Sequence, residues 1–156
     1  MNIIEKIPKL IIHTDGGARG NPGPAAVGVV IERTQNPEHN DQTKMEKITE
    51  FGRRIGEATN NVAEYRAVIE ALHEIKNEKL KMKNDEPLEI QFFLDSNLVV
   101  QQLNGLFKVK DAKLRELLMQ VRVLEHGCGG EVRYAYVPRE QNRRADELVN
   151  KALDGQ

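Results

Sequence analysis

The sequence predicts an α/β fold, a mixed sheet with helices on both faces. Two observations predict it. Three strand-like segments come first and helices alternate with strands after them, which joins an antiparallel meander to parallel strands. In the second half, Leu88 to Asp95 is a nearly unbroken apolar run with Ile90, Phe92, Phe93 and Leu94, as a central strand buried on both faces requires. The 156 residues suffice for one domain with a real core, spanning 1–156 with residues 1–8 as a short leader.

The elements follow in order. Leu10 to Asp15 is a strand, an apolar run that ends in a carboxylate. Gly16 to Pro24 is rich in glycine and proline and reads as a tight loop that a ligand can approach closely. Ala25 to Arg33, rich in Val and Ile, is the second strand. The polar stretch Thr34 to Thr43, with Asn36-Pro37 and Asn40-Asp41, is a hairpin loop. Met45 to Ile55 alternates imperfectly, as a strand with a bulge does. Thr59-Asn60-Asn61 opens a helix with Ala67, Val68, Ala71, Leu72 and Ile75 in its stripe, and Asn61 with Glu64 has capping-box spacing. Lys76 to Asp85 is a solvated helix end and loop, stopped by Pro87. Asn97 to Leu103 is a short helix closed near Gly105. Asp111 to His126 is a longer one, ended by Gly127-Cys128-Gly129-Gly130. Val132 to Val137 alternates as the last strand. Gln141 to Leu153 is the last helix, with Ala145, Leu148, Val149 and Ala152 in its stripe.

Bulk properties bound the function. A net charge of −1 argues against strong non-specific nucleic-acid binding while leaving room for a local basic patch. A single cysteine, Cys128, excludes an internal disulfide and a thiolate metal cluster, and fits a reducing, cytoplasmic setting. No apolar run reaches membrane-spanning length.

Four acids stand out. Asp15 and Asp95 each end an apolar strand, and ligands of open α/β sheets gather at the carboxyl ends of parallel strands. Glu64 shares the core-facing stripe with Val68 and Ala71, where an unpartnered glutamate is costly. Asp146 leans towards the sheet with Val149 and Leu153. Each has a plainer reading: Asp15 as the cap of the turn that follows, Asp95 as the cap of the next helix, Glu64 as half of a capping box, Asp146 as a first-turn acid favoured by the helix dipole. Together their repulsion calls for divalent cations, and hard oxygen ligands favour Mg²⁺ or Mn²⁺ over zinc.

Other residues have two readings as well. His13 alternates with Asp15, so it either points the same way as a ligand or packs in its strand, and packing is the expected reading. Lys108, Lys110 and Lys113 form either a phosphate-contacting patch or a solvated face. Arg139, Arg143 and Arg144 flank Asp146 and suit a nucleic-acid role.

These motifs resemble type 1 ribonuclease H. The matching pieces are Thr14-Asp15-Gly16-Gly17 with Gly20-Asn21-Pro22-Gly23-Pro24, Thr59-Asn60-Asn61-Val62-Ala63-Glu64, Leu94-Asp95-Ser96-Asn97, and Asn142 to Asn150. The resemblance implies a five-stranded mixed sheet of order 3-2-1-4-5. It implies endonucleolytic hydrolysis of the RNA strand of RNA–DNA hybrids, leaving 5′-phosphate and 3′-hydroxyl ends. Asp15, Glu64, Asp95 and Asp146 match the family's metal-binding acids, which hold two ions, Mg²⁺ or Mn²⁺, across the scissile phosphate. Gly16, Gly17, Asn21, Asn60, Asn61 and Asn97 match substrate-contacting positions, where short polar groups and bare backbone reach 2′-hydroxyls. A monomer acting on a hybrid is the corresponding assembly.

Two departures set this chain apart. Many members carry a loop histidine before the last acid, whereas Val137 to Asn142 is short and has none; Arg139 stands in that loop and is expected to pair with a phosphate oxygen. The basic, tryptophan-containing protrusion of some members is also missing. Both features resemble the compact archaeal and bacterial branch. Two competitors are a module that holds hybrids without cutting them and a resolvase or exonuclease of the same fold. The full set of acids weighs against the first, and the asparagines placed for 2′-hydroxyls against the second.

Overall fold

The computed structural model describes residues 9–35, 44–79 and 88–156. Residues 1–8, expected as a leader, residues 36–43 of the expected hairpin loop, and residues 80–87 of the expected helix end and loop lie outside the described residues. β1 (Lys9–Ala18), β2 (Gly23–Gln35) and β3 (Lys44–Ala58) form the antiparallel meander. β4 (Leu88–Leu94) joins β1 and β5 (Gly130–Tyr136) joins β4, both in parallel. The order β3-β2-β1-β4-β5 is the one the resemblance implies. α1 (Asn60–Lys79), α2 (Asn97–Leu103) and α3 (Ala112–Gly127) share a core with one face of the sheet, and α4 (Arg143–Leu153) covers β1, β2 and β3 on the other. No helix among the described residues is long and apolar enough to cross a membrane.

The pleat of β1 sorts its side chains. Leu10 and Ile12 join Val29, Ile31, Ile90, Phe92 and Leu94 beneath Tyr65, Val68 and Leu72 of α1. Phe92 is fully buried, and truncating such a ring costs about 3–5 kcal/mol. Ile11, His13 and Asp15 face the opposite way, towards α4. Two glycines beside Asp15 decide how closely the helices approach it. A Cβ on Gly16 would lie 2.2 Å from the carbonyl of Ala63, so only glycine lets α1 bring Glu64 down onto the strand. Gly28 pairs with Asp15 across the β1–β2 ladder, and a Cβ there would lie 2.2 Å from the carbonyl oxygen of Ala145, next to Asp146.

The structure differs from the sequence expectations in four places. β1 does not end at Asp15; it runs to Ala18, because Gly16, Gly17 and Ala18 continue the ladder with β2. Its pairing with β4 stops at His13 opposite Phe93, so Asp15 stands where one edge of β1 opens. The cap of α1 is Thr59, not Asn61: the Thr59 hydroxyl accepts from Val62 N–H at 3.2 Å, and no Asn61–Glu64 capping box forms. Asp95 caps nothing, since Ser96 accepts from Val99 N–H at the start of α2. Arg144 is committed to Glu50 and Glu147 on the protein surface rather than turned to the site, and it holds Glu50 down to about 2. The expected bulge in β3 is present: the register with β2 shifts twice, skipping Ile48 and Ile55.

Candidate functional site

Asp15, Glu64 and Asp95 each offer a carboxylate oxygen, and these atoms all lie within 4.8 Å of one another. Three separate elements supply them: β1, the first turns of α1, and the end of β4. Asp15 and Glu64 are both buried, at 7% exposure each. Asp146, in the first turn of α4, lines the same cavity and adds its charge to Asp15. The cavity has a volume of about 410 Å³ and also takes in Gly16, Gly17, Asn60 and Arg139.

The electrostatics follow from this crowding. Burial, then the charge of Asp95, raises Asp15 to about 7. Burial and the charge of Asp15 push Glu64 well above the usual carboxylate range, against the pull of the Gly16 N–H. The contact between the two carboxyls favours the protonated form of Glu64. The second Glu64 oxygen, Oε2, is buried with no hydrogen-bond partner. Arg139 lines the cavity, its guanidinium 3.9 Å from Asp146 and 82% exposed. An oxygen-only cluster this buried and this poor in positive charge is built for a cation from solution.

Asn142 is a residue whose role the sequence hid. It precedes α4, where asparagine reads as a cap, yet its side chain caps nothing. It is buried and donates to Thr14 O at 2.9 Å and to Asp95 Oδ2 at 3.3 Å, which fixes the orientation of Asp95. The only sequence signal was its place in the motif containing Asp146.

The asparagines expected to touch substrate fall into two groups. Asn21 and Asn60 brace the β1–β2 loop against α1: Asn21 Oδ1 accepts from Asn60 N–H, and Asn60 Oδ1 from Ala18 N–H, both at 2.9 Å. Asn61 lies in the first turn of α1. Asn97 is exposed and accepts from Gln101 Nε2 at 3.2 Å. Of these four, only Asn60 lines the acidic cavity. His13 packs as expected, its ring 5.3 Å from that of Phe93, and burial holds its pKa below the usual value. Cys128 is buried beside the Leu72 carbonyl. A larger cavity of about 630 Å³ lies between α2, α3 and β5, but its one carboxylate, Glu125, is already bonded to Arg122 and Tyr134.

Comparison with known proteins agrees with this geometry. A family described as reverse transcriptase-like matches residues 13–152. The bifunctional protein Rv2228c of Mycobacterium tuberculosis is 38% identical over 146 residues, covering 94% of this chain and 36% of that protein. The chain thus spans about a third of the length of the curated relatives it first matches. Among solved structures, LC11-RNase H1 from compost, in complex with an RNA/DNA hybrid, superposes with a TM-score of 0.78 at 40% identity, covering 94% of this chain and 97% of that one. RNase H1 from the archaeon Halobacterium salinarum superposes with a TM-score of 0.77 at 38% identity, covering 95% and 99%.

Proposed function

The chain belongs to the type 1 ribonuclease H family, and on that premise we propose that it hydrolyses the RNA strand of RNA–DNA hybrids, leaving 5′-phosphate and 3′-hydroxyl ends. The observation that carries this reading is the convergence of Asp15, Glu64 and Asp95 within 4.8 Å, with Asp146 in the same cavity. The donor set fits two Mg²⁺ or Mn²⁺ ions. It is all oxygen, it contains an unpartnered buried Glu64 oxygen, and burial holds the carboxyls of Asp15 and Glu64 away from their charged forms. Divalent ions bound there supply Lewis-acid charge at the scissile phosphate.

The chain's own residues have distinct tasks in this reading. Asp15, Glu64, Asp95 and Asp146 hold the ions. Asn142 keeps Asp95 turned towards them. Arg139 pairs its guanidinium with a phosphate oxygen. Gly16 and Gly17 present bare backbone to the strand. Asn61 and Asn97 contact 2′-hydroxyls, and Asn21 and Asn60 hold the loop that carries this surface. The proposed unit is one domain over residues 1–156, acting in the cytoplasm as a monomer on a hybrid. Labelled RNA–DNA, RNA–RNA and DNA–DNA duplexes, each with Mg²⁺, Mn²⁺ or EDTA, test the reading. Metal-dependent cuts in the RNA strand of the hybrid are expected; cutting of DNA–DNA alone, or activity in EDTA, would overturn it.

A further inference from the structure

The acidic cavity extends beyond the acids. It continues across Gly17 and Ala18 to Arg19 and Leu153, so a second arginine lines it besides Arg139. Arg19 lies four residues beyond Asp15, about 13 Å along extended strand. Its guanidinium is 2.6 Å from Asp154, with the two side chains 49% and 48% exposed. A pair this open is screened by solvent and holds little together.

Neither end of the pair depends on it. The Arg19 N–H donates to Pro24 O at 2.8 Å, and the Asn21–Asn60 brace fixes the same loop. Asp154 follows the last turn of α4, whose carbonyls at Ala152 and Leu153 accept from Arg54 at 2.8 and 3.0 Å. A negative charge at a helix C-terminus opposes the dipole, so Asp154 gains nothing from its own helix. What the pair does is keep a second cation, besides Arg139, poised on the wall of the cavity that holds the four acids.

We infer that Arg19 is a phosphate-binding residue. It takes a phosphodiester of the bound nucleic acid other than the one held at the acids, and Asp154 is its resting counterion, displaced on binding. The planar fork of a guanidinium suits a phosphate better than a single exposed carboxylate oxygen. This inference rests on the hybrid-cleaving activity proposed above.

Steady-state cleavage of an RNA–DNA hybrid over a range of salt, with thermal melts, tests it. A structural pair and a binding residue with a counterion predict different signs. If Arg19 binds phosphate, Arg19→Gln raises KM roughly threefold to tenfold, changes kcat far less, and reduces the salt slope of log(1/KM) by about 0.7–0.9. Arg19→Lys recovers part of the loss. Asp154→Asn frees the guanidinium and lowers KM while leaving Tm unchanged or higher. Glu131→Gln, an equal charge change on exposed β5, does not lower KM. Arg19→Gln and Asp154→Asn both raising KM would show the pair to be merely structural and overturn the inference. So would an unchanged KM and salt slope in Arg19→Gln. A wild-type protein that cuts no hybrid would overturn the activity itself, an outcome separate from either variant result.

Discussion

Replacing Asp15 with asparagine is expected to stabilise the metal-free protein at neutral and alkaline pH. In the folded state burial and the charge of Asp95 lift Asp15 from 3.8 to about 7. Between those values the folded protein holds a proton that the unfolded chain has released. Stability is therefore full below about pH 4 and is lost as pH rises through about 7. The difference corresponds to about 4 kcal/mol at 1.36 kcal/mol per pH unit. Glu64 carries a coupled share of the same repulsion, so one substitution recovers roughly half, which for a chain of this size raises Tm by about 4–8 °C. Melts of wild type and Asp15→Asn in EDTA from pH 5 to pH 9 provide the assay. The wild-type Tm should fall across the range, and the variant should start close to it and then stay higher and flatter. Mg²⁺ should restore the wild type and do little for the variant. Parallel curves, or a variant less stable at pH 8, would refute the view that Asp15 is a strained carboxylate awaiting a cation.

The other expected outcomes follow from the same geometry. Asp95→Asn and Glu64→Gln should each reduce hybrid cleavage more than roughly 100-fold with folding intact, read by single-turnover rates beside circular dichroism. Thr59→Ala should cost about 1 kcal/mol in chemical denaturation through loss of the α1 cap, whereas Asn61→Ala should leave stability within about 0.5 kcal/mol and raise KM for hybrids. Arg139→Ala should slow turnover or weaken hybrid binding, the binding part shrinking as salt rises, and the wild-type pH–rate profile should carry no histidine inflection; unchanged kcat and KM at low salt would make Arg139 an ordinary surface residue. Asn142→Ala should cost about 1–3 kcal/mol of stability and also weaken Mg²⁺ binding measured by calorimetry, because a buried amide that orients Asp95 is lost.

Much of this was legible in the residues. Strong periodicity located the elements: Asn97–Leu103 was bounded as observed, and the others to within a few residues. The four acids were found because a carboxylate on an apolar stripe is costly, and that cost depends only on local pattern. What local pattern could not show depends on pairing across the sheet. Asp15 looked like a strand end because turn-forming glycines follow it, yet Gly16 and Gly17 continue the ladder and Gly16 serves to admit α1, as Gly28 across the ladder admits α4. Asn61 had cap spacing, but Asn21 reaches from a distant loop to take the Asn60 N–H, and the helix is capped two residues earlier, by Thr59. Arg144 looked like part of a basic surface until β3 brought Glu50 alongside it. Asn142 and Arg19 were silent for the same reason, since their partners lie 47 and more residues away in sequence.

The most direct test is the position of a bound ion. Crystals of the protein grown or soaked with Mn²⁺, measured for anomalous scattering, should show a peak between the carboxylates of Asp15, Glu64 and Asp95, and Asp15→Asn crystals treated alike should lose it. Mn²⁺ peaks confined to other surface carboxylates, with the cluster bare at saturating metal, would contradict the assignment of these acids as a metal centre.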